Sequence, residues 1–142
     1  MKRTCVVQVS FAILWAVFSG AAAQGKQQCS NAILNGSYGL VGNGTIIGVG
    51  PISLVGVLNY DGRGNLTGTV YQKVNGNNSQ FTLSGTYTVD ASCTVTDVTH
   101  TSSGGTAMHV YVVVDSGKEF YSLNLVTGNV ITAVGKKQFS EE

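Results

Sequence analysis

Alternation of apolar and polar side chains is the clearest pattern in this chain. From Phe81 to Val89, every odd-numbered residue is Phe, Leu, Gly, Tyr or Val, and every even-numbered residue is Thr or Ser. Successive side chains of a β-strand point to opposite faces, so this stretch predicts a strand with one buried and one hydrated face. Turn sequences rich in Gly, Asn, Asp and Ser separate it from other runs of strand length. The predicted strands are 37–41, 52–60, 66–74, 80–89, 94–101, 107–114, 120–126 and 130–135.

About eight sequential strands, with no helix of useful length, must cover their own apolar face. An all-β fold, a single antiparallel up-and-down barrel of about eight strands, meets that need, and its interior holds packed side chains or one small ligand. The alternative is an immunoglobulin-like sandwich, which usually has a core Trp. The single Trp of this chain, Trp15, lies in the N-terminal apolar run before the predicted strands. Gly85 lies between Leu83 and Tyr87 on the predicted inner face, where a missing side chain lets a strand bend.

The first 23 residues have the pattern of a secretory signal peptide. Lys2 and Arg3 precede an apolar run at residues 5–18 and a small-residue stretch ending at Ala23. An uncleaved anchor is the alternative. Cleavage after Ala23 would leave residues 24–142 as one domain, secreted to the outside or to a periplasm and not bound to a membrane. That domain would keep two cysteines, Cys29 and Cys93, which in an oxidising compartment predict one disulfide.

Charge and motif content exclude several function classes. The chain has 8 basic and 7 acidic side chains, with no basic cluster suited to nucleic acid. No spacing matches a dinucleotide, phosphate or hydrolase motif, so no cofactor and no metal is predicted. The glycine-rich stretch at residues 42–50 is interpreted as a flexible link or mobile lip of the barrel.

The hairpin that joins the fifth and sixth strands carries the two histidines of the chain. A loop of two or four residues would place His100 and His109 together on the outer face. There they would be simple surface residues, or they would form a weak metal site or a pH-sensitive pair. The same register would place Asp97 on the inner face with Val110 and Val112. An inward carboxylate in an apolar interior is a candidate general acid or base, the alternative being a position at the rim or outside.

Four segments together resemble a group of secreted proteins. The order Cys29-Ser30-Asn31, then residues 34–39, 58–66 and 83–94, is similar to small, uncharacterised secreted proteins grouped with the allene oxide cyclase barrel-like, or calycin-like, domains. The resemblance implies an eight-stranded barrel with an apolar lumen, an architecture shared with lipocalins and dirigent proteins. In cyclases of this shape, catalysis comes mostly from positioning a reactive apolar substrate. The resemblance assigns no catalytic residue to this chain.

Three functions follow as hypotheses. The first is binding of a small apolar molecule in the lumen, although the same side chains could simply fill the interior. The second is a cyclase or isomerase, with Asp97 as acid or base and Tyr87 as its hydrogen-bonding partner. The third is an extracellular structural or interaction protein that uses residues 42–50 and 135–142 as contacts. The predicted ligand-binding residues are Leu58, Phe81, Leu83, Tyr87, Val110, Val112 and Leu123.

Overall fold

Eight antiparallel strands, connected in sequence order by hairpins, close into a barrel in the computed structural model, which describes residues 28–139. Each strand pairs with the next, and β8 pairs with β1. This confirms the predicted up-and-down barrel and is incompatible with a sandwich. The predicted signal peptide, residues 1–23, lies outside the described residues. The strands are β1 (Asn35–Ile46), β2 (Gly50–Asp61), β3 (Asn65–Val74), β4 (Asn77–Val89), β5 (Thr94–Thr101), β6 (Thr106–Val114), β7 (Glu119–Asn124) and β8 (Asn129–Lys137).

The glycine-rich stretch at residues 42–50 belongs to the sheet, so its interpretation as a flexible link was wrong. Residues 42–46 complete β1, where they pair with β2 on one side and β8 on the other. Only residues 47–49 form the turn between β1 and β2. Pairing on both sides satisfies the backbone hydrogen bonds of this stretch, and that compensates for the low intrinsic strand preference of glycine.

Gly85 marks a point where two strands approach too closely for a side chain. A Cβ built at Gly85 would overlap the carbonyl oxygen and the following Cα of β5 at Val98 and Thr99. Glycine here allows the sheet to curve tightly enough to close, as its inward position predicted.

The N-terminal segment plugs one end of the barrel, called here the closed end. A short 3-10 turn, Asn31–Ile33, is followed by Leu34, which is completely buried. The Asn31 side-chain oxygen accepts a hydrogen bond from the Val89 backbone N–H at 2.8 Å. The predicted disulfide is present, and it joins Cys29 of this segment to Cys93 in the β4–β5 connection.

An aromatic layer fills the barrel above this plug. Its rings contact one another at centroid distances of 5.0 to 6.0 Å, mostly edge to face. The Tyr38 hydroxyl donates to the carbonyl oxygen of Gly117. Burial, and to a smaller extent the nearby Tyr87, raises the pKa of Tyr38 to about 12. The closed half of the interior is therefore solidly packed. The members of the layer are Tyr38, Tyr60, Tyr87, Tyr111 and Phe120.

Helical structure in residues 28–139 is limited to short turns. The helical elements there are two 3-10 turns of three residues each, Asn31–Ile33 and Asp115–Gly117. The described part of the chain contains no helix with the length and apolar character needed to cross a membrane.

The β2–β3 hairpin is organised by the Asp61 carboxylate. Its Oδ1 accepts from the backbone N–H groups of Arg63 and Asn65, at 2.7 and 2.9 Å, and its Oδ2 accepts from the Asn65 side-chain amide at 2.6 Å. These hydrogen bonds, with the Asn65 side chain first, lower the pKa of Asp61 to about 2. The folded hairpin therefore binds the ionised carboxylate in preference to the protonated acid.

Replacing Asp61 with Asn is expected to make stability less sensitive to acid. A lowered pKa in the folded state stabilises the fold fully above the ordinary pKa of Asp, about 4, and that contribution disappears as the pH falls towards about 2. The free energy of unfolding of wild type should therefore fall more steeply over this range than that of Asp61→Asn, as measured by urea unfolding at several pH values. Arg63→Gln is the matched control, because only its backbone binds Asp61. Parallel pH profiles for wild type and Asp61→Asn would contradict the assignment.

Candidate functional site

A cavity occupies the half of the barrel opposite the plug. Its volume is about 200 Å³, and it extends from the aromatic layer, at Tyr111 and Phe120, to the strand ends at Ile46 and Asn129. A cavity of about 150 Å³ holds benzene, whereas pockets for drug-sized ligands start at about 300 Å³. This cavity therefore has room for a compact, single-ring molecule. Its apolar wall includes Leu40, Ile52, Leu54, Leu58, Phe81, Leu83 and Ile131.

Three of the predicted ligand-binding residues line this cavity: Leu58, Phe81 and Leu83. Tyr87 also points inward, but it belongs to the aromatic layer and is not a cavity residue. Its hydroxyl donates to backbone carbonyl oxygens of the plug, at 2.9 Å from that of Leu34 and 3.0 Å from that of Asn31. The Tyr87 hydroxyl thus makes its hydrogen bonds at the closed end of the barrel. The hypothesis that it serves Asp97 as a hydrogen-bonding partner is not supported by this geometry.

The other three predicted ligand-binding residues lie on the outside of the barrel, so their inward placement was wrong. Val112 is 50% exposed and Leu123 is 43% exposed, and Val110 shares the outer face of β6 with Val112. The inner face of β6 carries the odd-numbered residues instead, including His109 and Tyr111.

The length of the β5–β6 loop explains this error. His100 pairs with Thr106, and the Thr101 backbone N–H donates to the Gly105 carbonyl oxygen at 2.8 Å, so this last pair closes a loop of three residues, 102–104, and not one of two or four. An odd loop moves β6 by one residue relative to the predicted register and exchanges its two faces. His100 therefore points outward, 3.0 Å from the Thr106 hydroxyl, while His109 points inward. The predicted pair of outer histidines does not form.

The outer surface of the barrel also carries apolar side chains, across six strands. The inner and outer faces of these strands are therefore similar in hydrophobicity. Side chains directly opposite one another on neighbouring strands form a continuous row around most of the barrel. Four of the six are more than half exposed. Hydrophobic character alone therefore cannot identify the inner face of β6 or β7. In order across β3, β2, β1, β8, β7 and β6, the row is Tyr71, Val55, Val41, Val134, Tyr121 and Val112.

Asp97 lies inside the barrel, as predicted, and its partner is His109. The two residues face each other across β5 and β6. Asp97 Oδ1 accepts from His109 Nδ1–H at 2.8 Å and from the His109 backbone N–H at 3.1 Å. The Asp97 side chain is 3% exposed and that of His109 is 24% exposed. Together they form a polar patch on a cavity wall that is mainly apolar.

Asn124 determines which nitrogen of His109 carries the proton. Its side-chain oxygen accepts from the Val126 backbone N–H at 2.9 Å and from the Asn129 amide at 3.2 Å. The Asn124 amide nitrogen therefore faces His109 and donates to Nε2 at 3.1 Å. Since Nε2 accepts this bond, His109 is neutral and its proton lies on Nδ1, directed at Asp97.

Asp97 is one of the residues that line the cavity. Within residues 28–139 no side chain or backbone group donates a hydrogen bond to Asp97 Oδ2, whereas Oδ1 accepts two. The negative charge of Asp97 also acts on Tyr60 in the aromatic layer. Burial is the main cause that raises the pKa of Tyr60 well above its ordinary value, and the charge of Asp97 is the second. The patch can thus accept a hydrogen bond from a molecule in the cavity.

The sequence pattern placed His109 on the outer face and assigned no role to Asn124, so neither was predicted as a cavity residue. The Ser-Ser-Gly-Gly sequence at 102–105 is compatible with a three-residue loop, and that loop would have placed His109 opposite Asp97. Asn124 gave no local signal, because its role depends on β7 lying beside β6. In the part of the chain described, no group of three or more His, Cys, Asp or Glu side chains could hold a metal ion.

Comparison with known proteins supports the fold alone. No protein-family model matches this chain, and no curated protein is similar to it in sequence. Two solved barrels share its architecture, each with a TM-score of 0.56 over 75% of this chain. One is a de novo designed fluorescence-activating β-barrel, 11% identical and covered over 94% of its length. The other is a redesigned β-barrel, mFAP1, bound to DFHBI, 15% identical and covered over 97% of its length.

Proposed function

We propose that this chain is a secreted barrel protein that binds one compact, largely apolar molecule in its cavity. The observation that carries the proposal is the mainly apolar cavity between the aromatic layer and the opposite end of the barrel, with the charged Asp97–His109 pair on its wall. Few polar groups at defined positions in an apolar pocket are typical of sites that orient a small ligand. The barrel bound to DFHBI, which shares the fold, adds support for a binding role.

Secretion forms part of this proposal. It is supported by the signal-peptide pattern of residues 1–23 and by the Cys29–Cys93 disulfide, which is stable in an oxidising compartment. Kinship with the allene oxide cyclase barrel-like proteins is proposed on the four matching segments. N-terminal sequencing of the protein recovered from its culture medium or periplasm tests the export step.

Leu83→Trp is expected to weaken the binding of toluene, a probe of suitable size, at least tenfold. The indole ring would occupy a large part of a cavity of about 200 Å³. The matched control is Thr82→Trp, which places the same ring on the exposed outer face of the same strand. Binding is measured from ¹H–¹⁵N chemical-shift changes during titration. Wild-type spectra that change neither with toluene nor with single-ring probes of its size that carry a polar group, each up to its solubility limit, would refute the binding proposal.

A cyclase or isomerase is the second candidate function, and the Asp97–His109 pair favours it. An imidazole that is oriented by a buried carboxylate and borders an apolar pocket is an arrangement suited to proton transfer. The Nε2 lone pair would act as the base once Asn124 moves aside. A native bound compound that is recovered chemically unchanged after prolonged incubation with excess protein would contradict this function.

A further inference from the structure

We propose that the molecule bound in this cavity is a small apolar amine, whose ammonium group pairs with Asp97. This inference rests on the proposed binding function and specifies its ligand class. The starting observation is that Asp97 lines the cavity and is only 5% exposed, with one carboxylate oxygen bonded to His109 and the other without a donor among residues 28–139. A buried carboxylate is costly unless it is paired with a positive charge or fully hydrogen-bonded.

The protein supplies no positive charge to this carboxylate. None of the residues that line the cavity is Lys or Arg. His109 is held neutral, because the Asn124 amide occupies its Nε2 lone pair. The other titratable groups nearby are Tyr60 of β2 and Tyr111 of β6, which are neutral at physiological pH and whose hydroxyls have no partner within the described residues. A cation brought by the ligand would complete the site.

The side chains that line the cavity determine the size and polarity expected for the rest of the ligand. Apart from the Asp97–His109–Asn124 patch and a few hydroxyl and amide groups, the lining consists of aliphatic and aromatic side chains. The best fit is therefore one ring or a short branched chain, with one amino group at its end. An ammonium also donates up to three hydrogen bonds, whereas Asp97 Oδ2 needs at least one.

The test compares three probes of nearly equal size: benzylamine, benzyl alcohol and toluene. Dissociation constants are measured at neutral pH by calorimetry and by ¹H–¹⁵N titration on wild type and Asp97→Asn. Asn keeps the oxygen that accepts from His109, so the variant removes the charge with little change in shape. The control variant, Asp115→Asn, removes the same charge from an exposed residue at the closed end.

We expect wild type and Asp115→Asn to bind benzylamine at least tenfold more tightly than benzyl alcohol. Asp97→Asn should lose this preference and still bind toluene. Binding of toluene without preference for benzylamine, or a preference that survives Asp97→Asn, would overturn the amine inference and leave the binding function intact. Failure of all three probes would refute the binding function itself. If Asp97→Asn does not fold, proton–proton contacts between the benzylamine methylene and the His109 ring of wild type decide, and their absence overturns the inference.

Discussion

Phe120→Ala is expected to lower the free energy of unfolding by about 3–5 kcal/mol, the usual cost of truncating a buried aromatic side chain. Phe120 is 1% exposed and stacks on Tyr111 with a centroid distance of 5.0 Å. Its ring also lies directly over Gly135 of the neighbouring strand, in space that a side chain there would occupy. Removing the ring would therefore leave a void in the middle of the aromatic layer.

The adjacent residue offers a matched control for this prediction. Tyr121 is the next residue of β7, is 51% exposed, and contributes to the outer apolar row. Tyr121→Ala removes a ring of similar size but only cross-strand contacts, so the expected loss is about 1 kcal/mol or less. Both variants are compared with wild type by urea unfolding followed by circular dichroism. Equal losses at positions 120 and 121 would contradict the assignment of the inner and outer faces of β7.

Replacing both Cys29 and Cys93 with Ser is expected to lower the free energy of unfolding by about 4 kcal/mol. The chain-entropy relation yields this value for a closed loop of 64 residues, because the crosslink restricts the unfolded chain. The loss should also loosen the plug, since Cys29 ties down the segment that carries Leu34. The measurement is again urea unfolding.

Reduced wild type is the control for the cysteine variant. If the crosslink itself stabilises the fold, reduced wild type and the double Ser variant should unfold at the same urea concentration, below that of the oxidised protein. A double variant that unfolds together with oxidised wild type would show that docking of the plug, and not the crosslink, provides the stability of the closed end.

Strand positions were predictable because their causes are local. Alternation from Phe81 to Val89 and turn-forming residues between strands depend only on neighbours along the chain, and each predicted strand corresponds to one in the barrel. The disulfide was predictable for a different reason, since only two of the three cysteines lie beyond the predicted signal peptide. Asp97 does lie inside the barrel, but it was placed there by a register that also put Val110 and Val112 inside, and the structure places those two outside.

The site was predicted only in part, because its assembly depends on register between strands. A β5–β6 loop of three residues brings His109 opposite Asp97, whereas a loop of two or four would have brought Val110 or Met108 to the inner face. The sequence between the strands is compatible with each of these lengths. Hydrophobicity did not distinguish the two faces either, because Val112 and Leu123 on the outer surface are as hydrophobic as residues of the core.

Sequence alone was enough for the strand number, the barrel class and the cysteine pair, because these follow from local alternation, turn chemistry and a count. Only the tertiary structure decided where the interior is filled and where it is empty. The N-terminal segment and five aromatic rings pack the closed half, and mainly aliphatic side chains leave space in the other half. That division depends on side-chain volumes summed across eight strands, whereas the meeting of Asp97, His109 and Asn124 depends on the register of three of them.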